Sequence, residues 1–339
     1  MAYGIYAKPV GPGPATPAEL FIDSNMTFPQ FLGTFSTGNI EFRDNSASIT
    51  VSNFDGQGEL IMVPASNIAV KRDMGTSLVP TLVGVKSMSI SGNVANFSLQ
   101  SASYRNVYWS MNWNAYKLYP RGNQSYGITF SNSANFFAIN DGGVVGQCVW
   151  AYQGAVGDGT RITNLPGGGQ IPANAVIFAY WDQADTVVQY TPQDMTMHVT
   201  YNRVNGNGGQ TVGFMRIVAF ANNGGVPQHN GGLNIYSPNG TSCVFSTYNT
   251  PFIIRSFIST AGGNPGITQP MINLTTNGLI GSQNGGFQYQ HWRGATNQGG
   301  VIGTGYGPKL ADWSSNYNLM INSTTNISLP VLSAVDYFA

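Results

Sequence analysis

The sequence predicts an all-β protein built from three tandem small antiparallel β-sandwich units with Gly/Asn-rich loops. Three observations predict this class: a strand–turn–strand segment that recurs along the chain, period-2 alternation of apolar and polar residues, and the composition. The 339 residues include 43 Gly and 18 Pro, and 12% are aromatic. This combination is typical of short strands joined by many turns.

The recurrence begins at the N-terminus. Tyr3-Gly4-Ile5 leads to Leu20-Phe21-Ile22-Asp23, Tyr126-Gly127-Ile128 leads to Ala138-Ile139-Asn140, and a weaker third copy runs from Leu233 to Ser246. A spacing of roughly 110–120 residues indicates three copies of one small β unit rather than one large domain. We therefore predict unit one at residues 1–122, unit two at 123–226 and unit three at 227–339. Unit three is divergent and carries a long Gly/Asn-rich insertion.

Alternating segments predict the strands of each unit. Val107, Trp109, Met111 and Trp113 share one face of a predicted strand, and a second alternating strand runs from Met195 to Tyr201. Near-continuous apolar runs predict central strands at Ala175–Trp181, Phe214–Phe220 and Phe252–Ile258. We expect the last strand of each unit to pair with the Tyr-Gly-Ile strand that opens it.

Two long segments have the composition of loops, and long loops are commonly functional. They run from Gln153 to Pro172 and from Gly262 to Pro308. We expect the second to contain at least one strand, from Phe287 to Trp292. Aromatic and arginine side chains here form the candidate ligand- or partner-binding set: Phe287, Tyr289, His291, Trp292, Arg293 and Tyr306. The alternative interpretation is that these aromatic side chains belong to the core.

The sequence offers little support for enzyme chemistry. Charged residues make up 8% of the chain and the net charge is zero. Hydrolysis of a polysaccharide needs two carboxylates across a bond; Asp182 and Asp185 are the best local pair, but their position is typical of a turn. We predict no catalytic residue, no metal site and no cofactor. Cys148 and Cys243 are predicted to be buried free thiols, whose redox state the sequence does not fix.

Composition also bears on partners. The chain has no basic cluster of the kind that binds nucleic acid. It has no apolar run of the roughly 20 residues that a membrane-spanning helix needs. The N-terminus lacks the features of a signal peptide, so synthesis in a cytoplasm is expected.

The Tyr-Gly-Ile opening and the hairpin ending in an aliphatic–Asp pair resemble a family of tailed-bacteriophage virion proteins found at the tail tip or baseplate. Tyr3-Gly4-Ile5 with Phe21-Ile22-Asp23 matches best, the second copy matches next, and the third departs at Leu233-Asn234-Ile235 and Val244-Phe245-Ser246. The resemblance implies a non-enzymatic structural protein located in the virion. Its expected partners are further copies of itself, in a homo-oligomer, and other tail proteins.

A second hypothesis is a receptor-binding adhesin of the same particle, which would recognise a host surface glycan, a pilus or another protein receptor. Unit three, with its insertion, would then be the outward end. A polysaccharide depolymerase is the third hypothesis, disfavoured by the shortage of carboxylates. The copy number, symmetry, neighbours and host receptor cannot be obtained from the sequence.

Overall fold

A computed structural model describes residues 5–7, 20–22, 28–41, 46–72, 81–101, 108–118, 127–129, 138–140, 144–204, 208–221, 233–236, 243–314, 320 and 322–338. The all-β prediction is confirmed: these ranges contain strands and three short 3-10 turns, at Ile162–Asn164, Gly168–Gln170 and Ala334–Asp336. No helix within them is long and apolar enough to cross a membrane. Tyr3, Tyr126 and the predicted unit boundaries at 119–126 and 222–232 lie outside the described residues.

The described strands are numbered in chain order and grouped by the three ranges predicted from the sequence. Unit one contains β1 (Ile5–Ala7), β2 (Leu20–Ile22), β3 (Gln30–Ser36), β4 (Ile40–Glu41), β5 (Ser46–Thr50), β6 (Glu59–Pro64), β7 (Ala69–Arg72), β8 (Thr81–Ser91), β9 (Val94–Ser101), β10 (Tyr108–Trp109) and β11 (Asn112–Leu118). Unit two contains β12 (Gly127–Thr129), β13 (Ala138–Asn140), β14 (Gln147–Gly157), β15 (Thr160–Arg161), β16 (Val176–Trp181), β17 (Thr186–Thr191), β18 (Thr196–Tyr201) and β19 (Thr211–Ala221). Unit three contains β20 (Asn234–Tyr236), β21 (Cys243–Ser246), β22 (Ser256–Ser259), β23 (Pro270–Asn273), β24 (Gly278–Asn284), β25 (Phe287–Gln298), β26 (Val301–Ser314), β27 (Ser323–Thr324) and β28 (Ser328–Ser333).

Each unit opens with a two-stranded antiparallel hairpin, and the three hairpins pair equivalent residues, with a register shift between Ile235 and Tyr236 in the third. Ile5 lies opposite Ile22 in β1/β2, Ile128 opposite Ile139 in β12/β13, and Ile235 opposite Phe245 in β20/β21. The prediction that each copy of the motif contains two strands is therefore confirmed for all three copies, including the divergent third; the segments that connect the paired strands lie outside the described residues.

A three-stranded sheet also recurs, and it corrects one expectation. The last strand of each unit lies in the centre of this sheet, in the orders β3-β11-β6, β14-β19-β16 and β22-β28-β23. The expectation that it pairs with the Tyr-Gly-Ile strand is wrong, because both of its edges are already occupied by strands that follow the hairpin.

Units two and three share both of their sheets, which the sequence did not predict. β16 pairs with β23, which joins two of the three-stranded sheets into one of six strands. β17 pairs with β25, which joins the opposing strands into a seven-stranded sheet. In unit one the second sheet has the order β5-β9-β8-β7. The pairings of β16 with β23 and β17 with β25 remove strand edges that two separate sandwiches would expose.

Three hydrophobic cores hold the sheets together. One lies between the sheets of unit one, and a second lies between the six- and seven-stranded sheets. A third lies between the outer face of β3-β11-β6 and the six-stranded sheet. Side chains of β16 alternate between the second and third cores, with Ile177 and Trp181 in one and Val176 and Phe178 in the other. Strands covered on both faces read as continuous apolar runs, which explains the pattern of β16.

A junction close to the hairpins joins the units through one repeated contact. The Phe31 N–H donates to the Val144 carbonyl at 2.8 Å, and the Cys148 N–H donates to the Thr250 carbonyl at 2.9 Å. Phe31 and Cys148 occupy equivalent positions, each the same distance in sequence after its hairpin. In both cases the first strand after a hairpin (β3 or β14) is therefore hydrogen-bonded at its edge to the segment that precedes the equivalent strand of the next unit (β14 or β22).

Candidate functional site

The six predicted binding residues all lie on the hairpin formed by β25 and β26. The expectation of a strand at Phe287–Trp292 is confirmed, and the strand continues to Gln298. Glycines allow this hairpin to approach β17 closely: a Cβ on Gly294 would lie 2.4 Å from a methyl of Val187, and one on Gly305 would lie 2.7 Å from the same side chain. The glycine-rich composition therefore marks close packing of long strands rather than a loop.

His291, Arg293 and Tyr306 are brought together on β25 and β26, where His291 is buried and Arg293 and Tyr306 are half-buried. His291 is fully buried, its ring packs edge-on against Tyr306 with centroids 5.5 Å apart, and its Nδ1 lies 3.1 Å from the Gly307 carbonyl oxygen. Burial lowers the pKa of His291, which favours the neutral ring. His291 therefore does not lie on a binding surface.

Arg293 is held by hydrogen bonds to two neighbouring strands. Its Nε donates to the Ser323 carbonyl at 3.3 Å, and a guanidinium nitrogen donates to the Thr304 hydroxyl at 3.0 Å. Burial lowers the pKa of Arg293. These contacts give the side chain a structural role in tying β25 to β26 and β27.

Phe287 and Tyr289 lie at the open end of the hairpin. The Phe287 side chain is 54% exposed, and Lys309 lies 5.9 Å above the Tyr289 ring while pairing with Asp312 at 2.7 Å. Trp292 is half-buried further along β25. The six residues therefore do not form one continuous surface, and only Phe287 presents a largely exposed aromatic ring.

A groove of about 660 Å³ lies between unit one and the β22–β28 edge of unit three. This groove is lined by glycines of two turns, by residues of β6 and β8, and by side chains of unit three. The lining residues are Phe54, Gly56, Gly58, Glu59, Leu60, Ile61, Met62, Met88, Ile90, Gly92, Phe257 and Ser328. Sequence reasoning missed this groove because Phe257 belongs to a run that predicted a central strand, whereas β22 is an outer strand.

The carboxylates weighed for catalysis have structural contacts. Asp182 accepts a hydrogen bond from the Gly299 N–H at 2.9 Å. Asp185 has a positive φ of 51°, which fits the turn predicted for it. In the part of the chain that the structure describes, no group of three or more His, Cys, Asp or Glu side chains could hold a metal ion.

The prediction of two buried free thiols is confirmed. The Cys148 thiol donates to the Trp150 carbonyl at 3.3 Å, and the Cys243 thiol donates to the Phe245 carbonyl at 3.1 Å. Burial raises the pKa of Cys148 to about 12 and also raises that of Cys243. Both sulfurs are therefore protonated at neutral pH and poorly nucleophilic.

A family model described as a family of unknown function, DUF6453, matches residues 4–315. No curated protein matches the chain, and no solved structure matches it. The match extends through all three hairpins and most of unit three.

Proposed function

We propose that this chain, which belongs to the DUF6453 family, is a non-enzymatic structural component of a bacteriophage virion, at the tail tip or baseplate, present in multiple copies. The observation that carries the proposal is the Tyr-Gly-Ile opening, which resembles that of tail proteins; its two copies and the divergent third copy each form a pair of antiparallel strands. Its partners are further copies of the chain and neighbouring tail proteins.

The physical character of the molecule supports a mechanical role. Strand pairing, three cores and the repeated junction contact join the three units. A largely buried ion pair adds a cross-link within unit three: Arg255 binds Asp336 through two hydrogen bonds of 2.9 and 2.6 Å. Such an arrangement suits a protein that holds a shape under load.

The direct test is to quantify the chain in purified particles by mass spectrometry and to sediment the isolated protein. The proposal predicts several copies per particle and association of the isolated chain beyond a monomer. Absence of the chain from particles that retain full infectivity would overturn it. A recombinant chain that releases sugars from host polysaccharide would instead favour the depolymerase hypothesis.

The adhesin hypothesis is a second candidate because the exposed ring of Phe287 and the half-buried ring of Tyr289 lie at the start of β25, and aromatic residues are enriched at binding hot spots. Particles carrying Phe287→Ala should then adsorb to the host more slowly while assembling normally. Val301→Ala is the matched control, since Val301 is 51% exposed at the other end of the same hairpin. Normal adsorption of both variants would leave Phe287 without a recognition role.

A further inference from the structure

The groove beside β22 lies at an open strand edge. Among the described strands, β22 is one of the two outer strands of the six-stranded sheet and pairs only with β28. The Thr260 N–H donates to the Ile327 carbonyl, so the even-numbered residues of this strand form the hydrogen-bonded pairs with β28. The N–H and C=O of Phe257 therefore point away from β28, toward the open edge.

The walls of the groove are mainly aliphatic and partly exposed. Ile90 is 37% exposed and Phe257 is 38% exposed, and both line the groove together with Met88 and Leu60. A volume of this size falls within the range of about 300–1,000 Å³ that is typical of ligand sites. An aliphatic wall next to an open strand edge fits strand addition, in which main-chain hydrogen bonds give affinity and side-chain pockets give specificity.

The same chain already binds extended segments at the equivalent strands of the other two units. Gln30 at the start of β3 forms a bridge with Val145, and Gln147 at the start of β14 forms a bridge with Pro251. β22 is the corresponding strand of unit three, because it is the first strand after the hairpin and lies beside the last strand of its unit.

The charge of the lining residues indicates which kind of ligand fits the groove. Glu59 is the one charged residue among those lining the groove, and it is exposed. A carboxylate at the rim of an aliphatic groove favours an occupant that combines apolar side chains with a Lys or Arg. A carbohydrate is less well matched, because the exposed wall has one aromatic ring and few hydrogen-bonding side chains.

We propose that this groove binds an extended peptide arm of a neighbouring protein, which adds a strand to β22. An apolar side chain of the arm packs between Ile90 and Phe257, and a Lys or Arg lies beside Glu59. The assignment of the arm to another tail protein rests on the proposed function, whereas the binding mode does not.

The test is a selection of random ten-residue peptides against the full chain. The selected peptides should show alternating apolar residues with a Lys or Arg. When bound, they should slow hydrogen exchange of the Phe257 amide at least tenfold. Ile90→Glu and Glu59→Lys should each weaken binding at least tenfold, while Val301→Glu, a substitution at an exposed aliphatic residue outside the groove, should not.

Three outcomes would overturn the inference. They are failure to select any peptide, binding that survives Ile90→Glu, and binding that leaves exchange of the Phe257 amide unchanged. Retention of a glycan that Ile90→Glu abolishes would assign the groove to a carbohydrate instead. Because the selection uses the isolated protein, its failure is distinguishable from absence of the chain in virions.

Discussion

The hydroxyl of Tyr337 anchors the C-terminal segment in the third core, and its removal should destabilise the whole chain. This oxygen accepts a hydrogen bond from the Ile253 N–H at 3.0 Å and donates one to the Pro251 carbonyl at 3.1 Å. Tyr337 and Ile253 are almost fully buried. Tyr337→Phe keeps the ring and its packing while depriving two buried main-chain groups of their partner.

The magnitude follows from those two groups. A buried polar group left without a partner costs about 1–3 kcal/mol, and single substitutions seldom exceed about 4 kcal/mol. We therefore expect Tyr337→Phe to lower the free energy of unfolding by about 2–4 kcal/mol. Tyr152→Phe is the matched control: the Tyr152 hydroxyl donates to the Ala155 carbonyl at 3.0 Å in a solvent-exposed position, so its loss should cost less than about 0.5 kcal/mol.

The assay is guanidinium unfolding followed by tryptophan fluorescence, with the free-energy difference taken from the midpoint shift at a constant slope. A Tyr337→Phe midpoint within about 0.5 kcal/mol of the control would refute the reasoning. It would mean that the main-chain groups of Pro251 and Ile253 find other partners and that the hydroxyl does not anchor the segment.

Further predictions concern charge, pH and modularity. Asp336→Asn should cost about 2–4 kcal/mol because it leaves the Arg255 guanidinium without its carboxylate, while Asp312→Asn in an exposed pair should cost less than about 0.5 kcal/mol; denaturant titration of both variants checks this. Burial raises the pKa of Tyr337. Since the unfolded tyrosine ionises near pH 10, the free energy of unfolding should fall above about pH 10 by about 1.4 kcal/mol per pH unit for this group. Tyr337→Phe should make this slope less negative by about 1.4 kcal/mol per pH unit, because one group fewer loses a proton on unfolding. An unchanged slope would contradict the raised pKa of Tyr337. Limited proteolysis should cut within 226–231 before it cuts within β16. The nicked chain should still elute as one species, because the pairings of β16 with β23 and of β17 with β25 persist. Separation of the fragments under native conditions would exclude shared sheets.

Much of the fold could be predicted because local patterns determine it. Met111 and Trp113 are buried while Ser110 and Asn112 are exposed, as the period-2 alternation indicated. Asp185 occupies a turn for the reason that its residue type suggested. The hairpins followed from a repeated motif whose apolar residues lie opposite one another.

The strand pairings that join units two and three could not be predicted, because they depend on which residues pack against a strand and not on the residues of the strand alone. The apolar run of β16 indicates burial on both faces, but it does not say that β23 covers its edge or that Phe178 packs in the third core. The burial of the candidate-site residues could not be predicted for a similar reason. His291 and Phe287 are both aromatic residues of one strand, and only tertiary contacts make the first buried and the second exposed.

The most direct test of the account is electron microscopy of native phage particles that carry a labelled copy of this chain. We expect several copies of the label at the tail tip or baseplate, at positions repeated by the symmetry of the tail. Label on the capsid, or particles without any label in cells that express the chain, would contradict the proposal that it is a structural component of the tail.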